Sequence, residues 1–115
     1  MSDIKQLTKR ILEFVKNRDW NQFHNPKDSA LSLMLESAEV MEHFQWKSNE
    51  EMQEYIKTNK NEVGEELADV LYWVLLMSHN LGIDIKQAFE DKMSKNEAKY
   101  PVDKAKGRHT KYNNL

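Results

Sequence analysis

The sequence predicts a small all-α protein with a four-helix bundle-like fold in a single domain, residues 1–115. The 115 residues include only three glycines and two prolines, and runs of β-branched residues are few, so little favours strands or tight turns. Apolar residues recur at three- and four-residue intervals in four long stretches, which is typical of helices that bury one face. A domain this small has a small core, so oligomerisation would help to stabilise it.

Composition argues against several classes of protein. The formal net charge of −2 does not suit a whole-domain nucleic-acid binder. The chain has no cysteine, so nothing in it requires an oxidising compartment. The N-terminus lacks the apolar core of a signal peptide, and the longest apolar run, Val70–Met77, is too short to cross a bilayer. We therefore expect a cytoplasmic protein that binds neither nucleic acid nor membranes.

The first predicted helix covers residues 3–18 and is amphipathic. An aromatic loop follows, with Trp20, Phe23 and His24 ahead of Pro26, which disfavours helix at the residue before it. Two interpretations of this loop stay open. Its rings either close one end of a small bundle or form a surface on which a planar ligand stacks.

The second predicted helix covers residues 28–46, with Asp28 or Ser29 as its N-cap. It is apolar around most of its circumference, so we expect it to be largely buried. The remaining narrow strip is polar but contains no lysine, and is either a solvated face or the wall of an internal site. The strip consists of Ser32, Glu36, Glu39 and His43.

A short extra helix or turn, residues 49–58, is expected between the second and third long helices. Ser48 and Glu51 have the spacing of a capping box at its start. The third long helix covers residues 60–81 and ends before Gly82. Its acidic first half continues into an aromatic and aliphatic stripe.

Two acidic clusters lie on the second and third helices. Carboxylates three residues apart share a helix face, where their charges repel one another. No lysine or arginine lies between Lys27 and Lys47 or between Lys60 and Lys86 to compensate them. All-oxygen ligands without basic partners suit Mg²⁺, or Mn²⁺ as a substitute, and substrate phosphates commonly complete such sites. The candidate ligands are Glu36, Glu39, Glu66 and Asp69.

The fourth predicted helix covers residues 85–99 and begins after Asp84. Polar side chains follow one side of it, forming either a solvated face or a row of donors aimed at an anion. They are Lys92, Asn96 and either Lys99 or Tyr100. A basic tail from about residue 101 is expected to be extended.

These motifs together resemble the MazG-like all-α nucleoside triphosphate pyrophosphohydrolases, in the branch of dCTP pyrophosphatases and integron-associated MazG proteins. The acidic signature is Glu36-x-x-Glu39 followed by Glu66-x-x-Asp69; Leu35 occupies a position that is usually acidic in the family. The resemblance extends over residues 10–112. The further matching blocks are Arg18-Asp19-Trp20-x-Gln22-Phe23-His24, Glu42-x-Phe44-Gln45-Trp46, Glu65-Glu66-Leu67-Ala68-Asp69-Val70-Leu71 and Lys92-x-x-x-Asn96-x-x-x-Tyr100-Pro101.

The resemblance implies an enzyme that cleaves a nucleoside triphosphate between its α and β phosphorus atoms, releasing pyrophosphate. The four acids would be catalytic ligands of Mg²⁺, and one of them, or Glu42 or Glu65, would orient the attacking water. Residues implied around the base and sugar are Trp20, His24, Trp46 and Trp73, the last at a position where relatives often have tyrosine. Residues implied at the phosphates are Lys92, Asn96 and Tyr100.

The resemblance also suggests dCTP or a modified pyrimidine nucleotide as substrate, and a homotetramer built from two dimers, with a dimer as the alternative. Three alternatives stay open. The chain could be a non-catalytic nucleotide-binding bundle, or it could hydrolyse a related substrate such as dUTP or phosphoribosyl-ATP. Composition alone also fits a purely structural helical bundle.

Overall fold

The computed structural model describes residues 2–115, and within this range it contains helices and no strands. The helices are α1 (Asp3–Asn17), α2 (Pro26–Glu42), α3 (Asn49–Asn80), α4 (Ile85–Lys99) and α5 (Val102–Ala105), with 3₁₀ turns at Asn21–Phe23 and Tyr112–Asn114. The chain forms two compact units, one extending to Gly82 and the other covering Ile83–Leu115. The prediction of a single domain stays a prediction.

The core of the first unit lies where α1 and α2 pack against α3. Val15 and Leu76 are completely buried, and Leu75 is nearly so. Burying aliphatic side chains of this size stabilises the folded state by about 1.5–3 kcal/mol each. These side chains lie on α1 and on the C-terminal half of α3, so this core holds α1 against that half of α3.

Helix α2 begins two residues earlier than predicted and ends at Glu42 rather than at residue 46, and its N-cap is neither Asp28 nor Ser29. The cap is Asn25, whose side-chain oxygen accepts a hydrogen bond from the Asp28 backbone N–H at 2.8 Å. Pro26 occupies the first helical turn, where its missing N–H costs nothing. The proline that was expected only to end the loop therefore also starts the helix.

Helix α2 is also far more exposed than predicted. Its apolar residues Leu31, Met34, Leu35 and Met41 are between 47% and 62% exposed. The prediction of a largely buried helix is therefore wrong for the single chain. The apolar circumference that motivated it leaves an uncovered surface on α2.

Helix α3 joins two segments that were predicted as separate helices. Ser48 and Glu51 form the predicted capping box at its start. The helix then runs through to Asn80, with a local departure from helical geometry at Asn59 (φ −117°, ψ 19°). The short extra helix is thus the first part of α3, and the kink marks where the two predicted segments meet.

The second unit contains α4, α5 and the C-terminal tail. Asp84 caps α4 as predicted, accepting a hydrogen bond from the Gln87 N–H at 3.1 Å. The tail is not wholly extended, because it includes α5 and a 3₁₀ turn. Tyr112 packs against Tyr100 with ring centroids 6.1 Å apart, and the Lys99 ammonium lies 4.7 Å from the Tyr112 ring centroid.

No helix within residues 2–115 combines the length and hydropathy that a bilayer crossing requires.

Candidate metal centre and adjoining cleft

The structure brings the four predicted carboxylates together. Glu36 and Glu39 lie on α2, Glu66 and Asp69 lie on α3, and each residue offers an oxygen within 4.8 Å of the others. The two acids on each helix are three residues apart, so both face the neighbouring helix. The packing of α2 on α3 therefore converts two sequence motifs into one acidic cluster.

Burial and hydrogen bonding of these acids fit a divalent cation. Glu36 and Glu66 are partly buried, whereas Glu39 and Asp69 are exposed. One oxygen of Glu36 and one of Glu66 (Oε2 in both) are buried without a hydrogen-bond partner. Within residues 2–115, no lysine or arginine forms an ion pair with the cluster. Buried carboxylate oxygens without donors are costly unless something positive compensates them, and a hard cation with oxygen ligands does so.

The crowding of like charges changes proton affinity in the cluster. The neighbouring Glu39 carboxyl group, with which Glu66 can share a proton, is the main cause that raises the pKa of Glu66 to about 7, and burial and the negative charges of the other acids add to this rise. Burial is the main cause that raises the pKa of Glu36 above its ordinary value of 4.5, and the charge of Glu39 contributes next. Without a cation, the cluster therefore retains a proton near neutral pH.

An aromatic cleft of about 600 Å³ adjoins the acids, and Glu36 and Asp69 form part of its wall. Its rings make consecutive edge-to-face contacts. The centroid distances are 5.5 Å for Trp20–Phe14, 6.2 Å for Phe14–Tyr72, 5.2 Å for Tyr72–Trp73 and 5.6 Å for Trp73–His24. A cleft of this volume, mostly apolar with polar groups at one side, is suited to a small planar ligand.

The end of α1 explains how Trp20 reaches this cleft. Asp19 has a left-handed backbone (φ 55°), which turns the chain sharply after the helix. The Trp20 N–H then donates a hydrogen bond to the Val15 carbonyl at 3.1 Å. The Gln22 side chain fixes the turn by donating to the Asp19 backbone carbonyl at 3.0 Å. The aromatic loop therefore folds back over α1, and Trp20 and His24 form part of the cleft wall. Phe23 is 64% exposed and does not line the cleft.

The structure adds cleft residues that sequence reasoning missed. Phe14, Tyr72 and Arg10 all line the cleft. Arg10 and Phe14 lie on α1, where the pattern indicated only an amphipathic helix. Their helical spacing, four residues apart, was visible in the sequence, but nothing there showed that this side of α1 faces the acids. Among residues 2–115, Arg10 is the only arginine or lysine that lines the cleft.

Other predicted site residues lie on different parts of the chain. Trp46 follows α2 in a left-handed conformation (φ 69°), is 91% exposed and does not line the cleft of its own chain. Lys92, Asn96 and Tyr100 lie on or directly after α4, in the second unit. Lys92 and Tyr100 are exposed and Asn96 is partly buried. Their roles stay predictions.

Comparison with known proteins identifies the family. The MazG-like family model matches residues 31–115. The whole chain aligns with dCTP pyrophosphatase 1 of Mus musculus at 37% identity and with that of Homo sapiens at 34%, covering 67% of each relative. A crystal structure of a pyrophosphatase from Archaeoglobus fulgidus superposes with a TM-score of 0.82 at 39% identity, covering 88% of this chain and 94% of that one. These matches confirm the predicted all-α fold and the prediction of a pyrophosphohydrolase enzyme. The chain belongs to the MazG-like family.

Proposed function

We propose that this enzyme hydrolyses a deoxynucleoside triphosphate to the monophosphate and pyrophosphate in the cytoplasm, removing unwanted nucleotides from the pool. The observation that supports this most directly is that the four carboxylates adjoin the aromatic cleft through Glu36 and Asp69. A base in the cleft would place its phosphates beside the acids. The relatives named dCTP pyrophosphatase 1 favour dCTP or a modified pyrimidine nucleotide as substrate.

In this proposal Glu36, Glu39, Glu66 and Asp69 bind Mg²⁺, for which Mn²⁺ can substitute. The cation would neutralise the triphosphate and activate the attacking water. The unpartnered buried oxygens of Glu36 and Glu66 are the ones in greatest need of a positive partner. One of the four acids, or Glu42 or Glu65, would orient the water or take its proton.

The cleft would hold the base by stacking. Trp20, Trp73 and His24 line its walls, and stacking of a base on an aromatic side chain contributes about 1–3 kcal/mol. Trp46, exposed on its own chain, would contribute to a base site where a second chain presents it. At the phosphates, Lys92, Asn96 and Tyr100 would supply donors, and Arg10 is a further cation available within the cleft.

A nucleotide panel tests this proposal. We expect pyrophosphate release from dCTP in the presence of Mg²⁺, no release with excess chelator, and a higher kcat/KM for dCTP than for dATP, dGTP or dUTP. The measurement is a coupled pyrophosphate assay, with identification of the monophosphate product. Tight dCTP binding without pyrophosphate release would instead identify a non-catalytic nucleotide-binding protein, and a preference for dUTP would reassign the substrate.

We also propose that the enzyme is a homotetramer formed from two dimers, with α2 at an interface. The uncovered apolar residues of α2 support this, because contiguous exposed apolar surface marks interaction sites. We expect light scattering to give about four times the mass of one chain.

A charge on the exposed α2 face provides the variant for this test. Leu35→Glu is expected to dissociate the assembly, whereas Lys57→Glu, on an exposed part of α3, is expected to leave it intact. A wild-type monomer at micromolar concentration would contradict the proposal, and a stable dimer would restrict it to one interface.

A further inference from the structure

His43 lies directly after α2, beside the acidic cluster, and its two ring nitrogens face different partners. Its Nε2 is 3.9 Å from Oε1 of Glu66. Its Nδ1 is within hydrogen-bonding distance of the Tyr55 hydroxyl group. The His43 and Glu66 side chains are only 15% and 25% exposed. A single imidazole thus links a tyrosine on the first part of α3 with an acid beyond its kink.

The Tyr55 hydroxyl group favours the His43 tautomer that carries its proton on Nε2, the nitrogen facing Glu66. A neutral imidazole has one N–H donor and one acceptor nitrogen. When the Tyr55 O–H donates to Nδ1, the ring proton resides on Nε2, which faces the Glu66 carboxylate. The opposite tautomer would direct the Nε2 lone pair towards carboxylate oxygens, which is unfavourable. The geometry therefore selects the tautomer that donates towards Glu66.

Neighbouring side chains hold Tyr55 in place. Phe44 packs edge-to-face on its ring with centroids 6.3 Å apart, and the Lys47 ammonium lies 4.3 Å from the ring centroid. Both residues belong to the segment between α2 and α3. The hydroxyl position is thus fixed by packing that does not involve the acidic cluster.

We propose that His43 is a positioning residue for Glu66, and that the Tyr55 hydroxyl orients it for this task. This inference rests on the proposed metal-dependent function. Oε1 of Glu66 faces His43, whereas Oε2 is buried without a partner. One carboxylate oxygen is thus directed towards a protein donor and the other is left to bind a cation. At 3.9 Å the His43 Nε2–Glu66 Oε1 separation is an electrostatic contact, longer than a hydrogen bond. Polar partners beside metal ligands are a common means of fixing ligand orientation.

The test measures metal binding directly, so that it does not depend on turnover. Full-length, metal-free protein is titrated with Mn²⁺, and free Mn²⁺ is quantified by electron paramagnetic resonance. We expect Tyr55→Phe, which removes only the hydroxyl group, to weaken Mn²⁺ binding by about tenfold. His43→Ala should weaken binding at least as much, and the double variant should be no worse than His43→Ala, because both residues act through one interaction. His43→Gln, which retains an N–H donor of similar reach, should recover part of the loss.

A packing variant separates positioning from general stability. Phe44→Leu removes one aromatic contact with the Tyr55 ring but leaves the Lys47 contact and the hydroxyl group. We therefore expect a lower thermal unfolding midpoint but a smaller loss of Mn²⁺ affinity than in Tyr55→Phe. Wild-type affinity in Tyr55→Phe, alongside normal Mn²⁺ binding and dCTP hydrolysis by the wild type, would overturn the inference and leave the proposed function standing. A wild type that binds no Mn²⁺ would overturn both. Should His43→Ala not fold, Tyr55→Phe and His43→Gln still decide the question.

Discussion

Replacing Asp69 by asparagine is expected to lower kcat/KM for dCTP by about three orders of magnitude, equivalent to about 4 kcal/mol of transition-state stabilisation. The substitution keeps the size of the side chain but removes one of the four charges that would bind Mg²⁺. The cation supplies charge neutralisation at the phosphates, so weakening its site affects the transition state directly. Steady-state kinetics at saturating Mg²⁺ provide the measurement.

Stability distinguishes a lost function from a lost fold in this experiment. Asp69 is exposed, and removing a like charge from the cluster relieves repulsion, so Asp69→Asn should unfold at the same or a slightly higher temperature without metal. Glu62→Gln is the matched control, because Glu62 lies on the same helix and outside the cluster. We expect it to retain wild-type kinetics. Hydrolysis by Asp69→Asn at the wild-type rate would refute the metal assignment.

Without metal, the protein is expected to lose stability as the pH rises from about 5 to about 7. The folded state holds the proton of Glu66 with a pKa of about 7, above the ordinary value of 4.5. Between these values the folded protein binds a proton that the unfolded chain does not, so raising the pH lowers the free energy of unfolding. The raised pKa of Glu36 acts in the same direction. Above about pH 7 the contribution is lost and this dependence levels off.

Mg²⁺ should reverse this loss, and should do so more strongly at higher pH. The cation competes with the proton for the same oxygens, and a ligand present at about 100 times its Kd stabilises a protein by about 2.7 kcal/mol. Differential scanning calorimetry at several pH values, with Mg²⁺ or with chelator, measures both effects. The Glu66→Gln variant distinguishes the titration of Glu66 from that of the histidines. Without the Glu66 carboxyl group, unfolding should depend less on pH and should respond less to Mg²⁺. An equal response to Mg²⁺ at pH values of about 5 and about 8 would contradict the account.

Local chemistry explains why much of the fold was predictable. Capping at Ser48 and Asp84 depends on residues within one turn of the helix start, so the sequence contains the whole interaction. Helical spacing predicted only that the two acids on each helix share a face, and left a solvated face as an alternative to a metal site. The resemblance to the MazG-like family pointed to one shared site, and the structure brings Glu36 and Glu39 together with Glu66 and Asp69.

Long-range packing decided what the sequence did not reveal. The aromatic cleft depends on the left-handed turn at Asp19 and on which side of α1 faces α3, and neither is encoded within a single helix. The link from Tyr55 to His43 crosses twelve residues and joins two elements. Periodicity showed only that His43 shares a strip with the acids, not that its second nitrogen had a partner.

By itself, then, the sequence determined the all-α class, the caps at Ser48 and Asp84 and the acids spaced to share helix faces, because propensity, capping and spacing act over a few residues. It could not distinguish an apolar helix buried within the chain from one left uncovered, as α2 is. Only the tertiary structure showed which helix faces meet, because the burial of a face depends on the elements that pack against it and not on the sequence of the helix alone. The same packing created the acidic cluster, set it beside the cleft and brought the histidine within reach of Glu66.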